Sequence, residues 1–255
     1  DNLTAGATKA VQPTVPTYRG VGTGYPQRTK INAQETDATI ALAVDFTTGG
    51  EKLTRSVVKG ANKPFLKASI DPKNMTVSDK RVDAIVERLN KADATSLNIA
   101  GNGLQNLNKA GITQEAIDRY VKELIEKVNN HPKLKKKITK IQSGGQTGVD
   151  EAGIKAGMDL GIETNIVAPG DWRFRGADGK DISDKAKFLE RFGIKAEEPS
   201  LDQEVERIQD LLESMTNKAD DFLESSPVRV QQGPKKLIPK KSKEQLKANQ
   251  SKSEA

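Results

Sequence analysis

The 255-residue chain is predicted to be an α/β protein, a parallel sheet with helices on both faces. Three observations predict it. Short apolar, β-rich runs alternate with segments whose apolar residues recur at helical spacing. The run Ile141-Gln142-Ser143-Gly144-Gly145-Gln146-Thr147-Gly148-Val149-Asp150 passes from buried strand to glycine turn to helix start in immediate succession. The loops that leave successive strands are rich in small residues, as expected where ligands lie at the carboxyl ends of a parallel sheet.

The elements follow in order. Residues 38–46 (ATIALAVDF) form an apolar strand, 51–60 a helix and 64–70 (PFLKASI) a second strand. Asp37 either starts the first of these strands or belongs to the site. Val82, Ile85, Val86 and Leu89 mark a helix, and residues 96–100 a third strand. A long helix starts at Thr113, carries Ile117, Tyr120, Val121, Leu124 and Ile125 on one face, and stops at His131-Pro132. Ile138 and Ile141 close a further strand. Ala152, Ile154, Ala156, Met158 and Leu160 fill the helix that ends at Gly161.

Three loops, 47–54, 101–103 and 143–147, leave strands at the same edge. If they converge, they form an amide-lined cleft for a phosphate and a sugar. The first amides of a helix lack intrahelical partners and its dipole points its positive end at the turn, so the turn before Val149 favours an anion. The candidate ligand residues are Ser143, Gly144, Gly145, Thr147 and Asp150, with Gly49, Gly50 and Thr54 in the first loop and Gly101 and Asn102 in the second. Asn102 suits a ribose or base edge. Arg28 is the candidate for pairing with a phosphate, its planar fork engaging two oxygens at once; its other reading is a solvated surface arginine. Each glycine turn also reads as packing alone, and Asp150 as a helix-capping carboxylate. The 143–148 turn matches neither the G-x-G-x-x-G fingerprint nor a Walker loop, whose Lys is missing. Trp172, Arg173 and Arg175, after a Pro-Gly turn, read either as a flap over the ligand or, for Trp172, as packing.

The Ser143-to-Asp150 block resembles the Ser-Gly-Gly-Gln-Thr-Gly-x-Asp signature of the molybdenum carrier family, within the SLOG superfamily of Rossmann-like proteins. Residues 168–173 and 176–179 look like the family's second strand and its following loop. Residues 25–40 resemble its Arg-Thr, Asn and Ser-Asp-Ala-Thr segment, with Thr36 in place of Ser, and residues 49–54 its Gly-Gly-Thr-x-Leu-Thr, with Glu51 in place of Thr. In the family the Ser-Gly-Gly block comes first; here it follows the Arg-Thr block, so the order is circularly permuted, as in large multidomain proteins of mobile elements and phages. The resemblance implies a Rossmann-like fold and a nucleotide or nucleotide-derived ligand, and adds Asn32 to the ligand residues. Relatives in the superfamily hydrolyse N-glycosidic bonds with an Arg and a Glu, roles for which Arg28, Glu51 and Arg55 are the candidates by analogy. Two other readings are a structural or cargo component of a virion or mobile element with a vestigial site, and a molybdenum cofactor carrier.

Composition bounds the rest. The chain has no cysteine and one histidine, His131, so disulfides, thiolate chemistry, a His-based triad and a multi-His metal site are all excluded. No apolar run approaches the roughly 20 residues of a membrane helix, and no signal peptide is visible. A cytoplasmic location, or one within a phage particle, is expected. The chain begins at Asp1 without an initiator Met, which suggests a processed product or a segment of something longer.

Four segments are expected: a flexible arm over 1–20, the α/β domain over 21–195, a coiled-coil-like helix over 200–225 and a basic disordered tail over 226–255. Leu201, Val205, Ile208, Leu212, Met215, Ala219 and Phe222 keep a four-three spacing, a seam for a protein partner or self-association through 201–222. The tail holds eight basic and two acidic residues, which equals the whole net charge of +6. It either stays solvated or meets nucleic acid or an acidic partner. The cluster Lys133, Lys135, Lys136, Lys137 and Lys140 is placed to steer an anion toward the glycine turn.

Overall fold

The computed structural model describes residues 12–195 together with Val205, Ile208, Gln209 and Leu212. Its elements are β1 (Thr17–Val21), α1 (Tyr25–Gln34), β2 (Ala38–Ala43), α2 (Gly49–Gly60), β3 (Phe65–Ser69), α3 (Asp79–Ala92), β4 (Ser96–Gly101), α4 (Leu104–Lys109), α5 (Gln114–Asn129), β5 (Lys140–Ser143), α6 (Val149–Asp159), β6 (Glu163–Pro169), β7 (Arg173–Arg175), β8 (Asp181–Ser183) and α7 (Lys185–Glu190). All belong to the first of two units, which ends at Ala196. The strands from β1 to β6 form one parallel sheet in the order β1-β6-β5-β4-β2-β3, and β7 and β8 form an antiparallel hairpin.

This is the predicted α/β, Rossmann-like architecture, with helices on both faces. α3, α5 and α6 bury Val82, Ile85, Leu89, Ile117, Val121, Leu124 and Ala152 against Ile40, Leu42, Leu97, Ile99 and Ile141 of the sheet. Thr113 caps α5 as predicted, its hydroxyl accepting from the Ala116 amide at 3.3 Å. α6 lies close on the strands because Gly153 and Gly157 present no side chain. A Cβ at Gly153 would sit 2.6 Å from Ile99, and one at Gly157 2.3 Å from the Thr164 hydroxyl. α1 and α2 pack together on the opposite face.

That opposite face is unusual for a parallel sheet, whose strands normally read as continuous apolar runs. Thr39, Asn98 and Gln142 stand buried on the strands, and α1 turns Arg28, Asn32 and Ala33 inward. Polar residues therefore floor the region beneath α1.

The sheet also corrects the expected flexible arm. Residues 17–20 lie in β1, which pairs with β6 from Thr17↔Asn165 to Val21↔Pro169. Thr14 donates through its amide to Met158 O and through its hydroxyl to Ile162 O. An edge strand with exposed alternate positions carries little apolar signal, which is why the Thr-Tyr-Arg-Gly-Val run escapes notice. Residues 1–11 and the basic tail lie outside the described residues, as does most of the coiled-coil-like seam. Val205, Ile208 and Leu212 of that seam are exposed. Among the described residues no helix is long and apolar enough to cross a membrane, and no group of three or more His, Cys, Asp or Glu stands close enough to hold a metal ion.

Candidate functional site

Loops leave the carboxyl ends of β2, β4 and β5 on one side of the sheet, and with α1 they enclose a cleft of about 510 Å³. That is within the usual range for small-molecule sites, roughly 300–1,000 Å³. The switch point of the sheet lies here, since β2 leads outward to β3 while β4 leads the other way to β5. Asn102 ties the two loops together: its Oδ1 accepts from the amides of Val44 and Asp45 at 2.9 and 3.1 Å, and its Nδ2 donates to Asp45 O at 3.0 Å.

The candidate residues divide sharply. Arg28, Asn32, Gly49, Gly50, Glu51, Thr54, Gly101, Gly144 and Asp150 line the cleft. Ser143, Gly145, Asn102, Thr147 and Arg55 do not. Asn102 is fully buried with its amide engaged, so it offers nothing to a ribose or a base. The Ser143 hydroxyl donates to Ile99 O, and that of Thr147 to Arg175 O. Gly145 adopts φ +67°, and a Cβ there would lie 2.5 Å from Phe188 Cζ, so it serves the core behind the turn. Arg55 is exposed on the outer side of α2.

The expected anion cradle before α6 is filled by the protein itself. The Thr147 amide donates to Gln146 Oε1, the Gly148 amide to Gln114 Oε1, the Val149 amide to Asn102 O and the Glu151 amide to Gln146 O. The open helix end is the other one. α2 begins at Gly49 after Thr48, whose side chain makes no cap, and the amides of Gly49 and Gly50 have no partner among the described residues. A Cβ at either glycine would meet nothing within 4 Å. Two free amides and the positive end of a 12-residue helix thus face the cleft.

The same cleft has a cationic and aromatic wall. Arg28 Nη1 donates to Asp150 Oδ2 at 2.5 Å, both side chains nearly buried. Gly144 makes this contact feasible, because a Cβ there would sit 1.3 Å from Nη1. Arg28 and Arg175 lie over the Tyr25 ring, 5.5 and 6.0 Å from its centroid. The Tyr25 hydroxyl and Arg175 Nε both donate to Asp181 Oδ1. Burial pushes the Tyr25 phenol up, and Arg175 holds the Asp181 carboxyl below its ordinary value. Tyr25 and Arg175 thus join the site as an aromatic platform and a second cation. Their only sequence signal is membership of the 25–40 block and of the predicted flap. Trp172 of that flap packs edge-on against Tyr18 and Phe188, so its packing reading holds.

Glu51 is the acid of the cleft that makes no ion pair among the described residues. Burial raises its carboxyl above the usual range, with Asp150 and Asp45 adding to the rise, against hydrogen bonds from Asn102 and its own amide. A raised carboxyl binds its proton more tightly folded than unfolded. Its contribution therefore favours folding at low pH and is lost as pH rises through the folded value. Glu51→Gln is expected to stabilise the protein at neutral pH, with the gain vanishing near about pH 4, where the unfolded carboxyl also protonates. Denaturant melts of both proteins across that window check it; an equal gain at every pH would refute it.

The lysine cluster lies elsewhere. Lys140 opens β5 and Lys136 pairs with Asp93, which ends α3 just before β4. These residues sit at the amino edge of the sheet, opposite the cleft, and cannot steer an anion into it.

Residues 16–125 match the circularly permutated YpsA SLOG family. The stretch contains Arg28, Asn32, Gly49, Gly50 and Glu51 of the cleft, while Gly144, Asp150 and Arg175 lie beyond it. No curated protein matches the chain. Among solved structures it is similar to an iron-containing alcohol dehydrogenase from Thermococcus thioreducens, at 12% identity over 61% of this chain and 45% of that one, with a TM-score of 0.33. It is also similar to the NADH-dependent butanol dehydrogenase A of Thermotoga maritima, at 12% identity over 62% and 45%, with a TM-score of 0.31. The chain spans less than half the length of either. Together with the parallel sheet, the match over residues 16–125 supports a circularly permuted domain of the SLOG superfamily in this chain.

Proposed function

We propose that the chain binds a nucleotide or nucleotide-derived ligand in the cleft, with its phosphate at the start of α2. The observation that carries this reading is the pair of amides at Gly49 and Gly50, unpartnered among the described residues, in a cleft that Arg28 and Arg175 also line. Helix dipole, amides and two guanidinium groups all favour an anion there. Tyr25, which lines the same cleft with both guanidinium groups near its ring, adds an aromatic side chain for contact with a base or sugar. Turnover at an N-glycosidic bond, on this reading, falls to Glu51, the buried carboxyl at the same helix end. Its readout is adenine released from AMP by the wild type and not by Glu51→Gln.

The binding test is a thermal-shift series with AMP, ADP-ribose, NAD, cyclic nucleotides and inorganic phosphate. A ligand at about a hundredfold its Kd contributes about 2.7 kcal/mol and raises Tm by roughly 5–10 °C in a domain of this size. Gly50→Asp is the matched control. Its Cβ meets open space and its carboxylate suits the first turn of α2, so the fold is retained while the anion is repelled. A wild-type shift absent in Gly50→Asp supports the reading. The same shift in both proteins, or none with any probe, overturns it.

A further inference from the structure

Two polar atoms of α1 are buried without a partner, and both residues line the cleft. They are Arg28 Nε, a donor, and Asn32 Oδ1, an acceptor. Arg28 is 9% exposed and Asn32 is 2% exposed. A buried polar atom without a hydrogen bond forfeits its solvation, so such atoms are rare and each asks for a reason. The other two orphans, on Asp171 and Arg191, belong to residues outside the cleft lining.

The two are a matched pair. Four positions apart on one helix, Arg28 and Asn32 are neighbours on the same face. The orientation of each group is set by a bond at its far end. Asp150 takes Nη1 of Arg28, which leaves Nε buried without a partner and the Nε–Nη2 edge of the guanidinium in no hydrogen bond among the described residues. That edge presents two parallel donors, the geometry that grips two oxygens of one oxyanion. The Asn32 Nδ2 donates to Val167 O on β6 at 3.3 Å, which fixes Oδ1 as the acceptor left over.

We infer that the ligand carries a hydroxyl donor close to its anionic group, and that Asn32 Oδ1 accepts from that hydroxyl while the Nε–Nη2 edge of Arg28 holds the phosphate. The inference rests on the phosphate-binding reading above and narrows its ligand to a phosphate ester with a free sugar hydroxyl. Asn32 is then the residue that distinguishes hydroxylated from deoxygenated sugars. A site built to receive a hydroxyl rejects the analogue lacking it, because its own buried acceptor stays unpaired.

The experiment compares the affinities of AMP and 2′,3′-dideoxy-AMP for the whole chain by calorimetry, with inorganic phosphate as the oxyanion-only probe. AMP is expected to bind about tenfold or more tightly than the dideoxy compound, and that ratio is expected to fall to about one in Asn32→Leu. Equal affinity of the wild type for both nucleotides overturns the hydroxyl assignment and leaves the phosphate reading standing. Failure of AMP, dideoxy-AMP and phosphate alike to bind overturns both. Because the first comparison varies only the ligand, it stands even where the Asn32 variant does not fold.

Discussion

Arg28→Leu is expected to cost about 3–5 kcal/mol of stability, because it strands the Asp150 carboxylate in a buried position. Asp150 is 6% exposed, and Arg28 is its only hydrogen-bonded side-chain partner among the described residues. With domain stabilities of about 5–15 kcal/mol, this is a decisive fraction. Leu keeps most of the volume, so the loss isolates the charge rather than a cavity. The double variant Arg28→Leu/Asp150→Leu is expected to recover most of the deficit, since an apolar pair of similar size is often as stable as the ion pair it replaces. Denaturant midpoints of the two variants decide it. A loss below about 1 kcal/mol in the single variant would mean that Asp150 finds another partner and that the pair does not organise the wall. Neither variant should retain the ligand-induced shift, because both remove the guanidinium.

The second large effect belongs to Gly101. A Cβ there would stand 1.9 Å from Leu42 O and 2.9 Å from both Leu42 C and Val149 Cγ2. The Leu42 carbonyl is already fixed by the Asn102 amide, so neither strand can yield without opening the sheet at its switch point. Gly101→Ala is therefore expected to lose about 3 kcal/mol or more. Gly50→Ala supplies the contrast: its Cβ meets nothing within 4 Å and it stays near neutral or gains a few tenths of a kcal/mol. Equal behaviour of the two in thermal melts would refute the division of the glycines into those that pack strands and those that leave the cleft open.

That division shows what the sequence could and could not reveal. β2 to β5 were legible as short apolar, β-rich runs, α3 and α5 by apolar residues at helical spacing, and α2 and α6 as the segments that follow glycine-rich turns. Their bounds moved little: the helix expected over 51–60 runs Gly49–Gly60, and the strand around Ile138 and Ile141 runs Lys140–Ser143. α1 was not legible as a helix. Its buried face is Arg28, Asn32 and Ala33, a polar stripe that no hydrophobic periodicity marks. The β7–β8 hairpin and α7 are short and partly exposed, and leave as little trace.

The candidate site was half legible for a related reason. A run of small residues signals that backbones come close without saying what they approach. At Gly49 and Gly50 it is open space; at Gly144 it is Arg28, at Gly145 Phe188 and at Gly101 another strand. The turn before α6 looked like the anion site because its amides are unpaired within the helix. Gln114, Gln146 and Asn102 O take them up, two of these from segments far away in sequence. Tyr25 and Arg175 reach the cleft from either side of that turn and share Asp181, a contact between residues 156 positions apart at its longest. No local pattern encodes such a meeting.

The aromatic cluster beside β6 has a topological consequence. Tyr18 of β1, Met158 of α6 and Ile194 after α7 all pack on it, so the points where the chain enters and leaves this domain share one patch of core. Topologically the domain is nearly a ring, closed by side chains where peptide bonds are missing. A ring can be opened at any connection outside its strands and helices, and the loop 130–139, which contributes no residue to the cleft, is one such place. A chain opened there and joined across the aromatic patch would begin with the Ser143-Gly144-Gly145 block and thread the same six strands. The permuted order is thus a choice of where the thread is cut, and the cleft, built by strands that keep their neighbours under either cut, is indifferent to it.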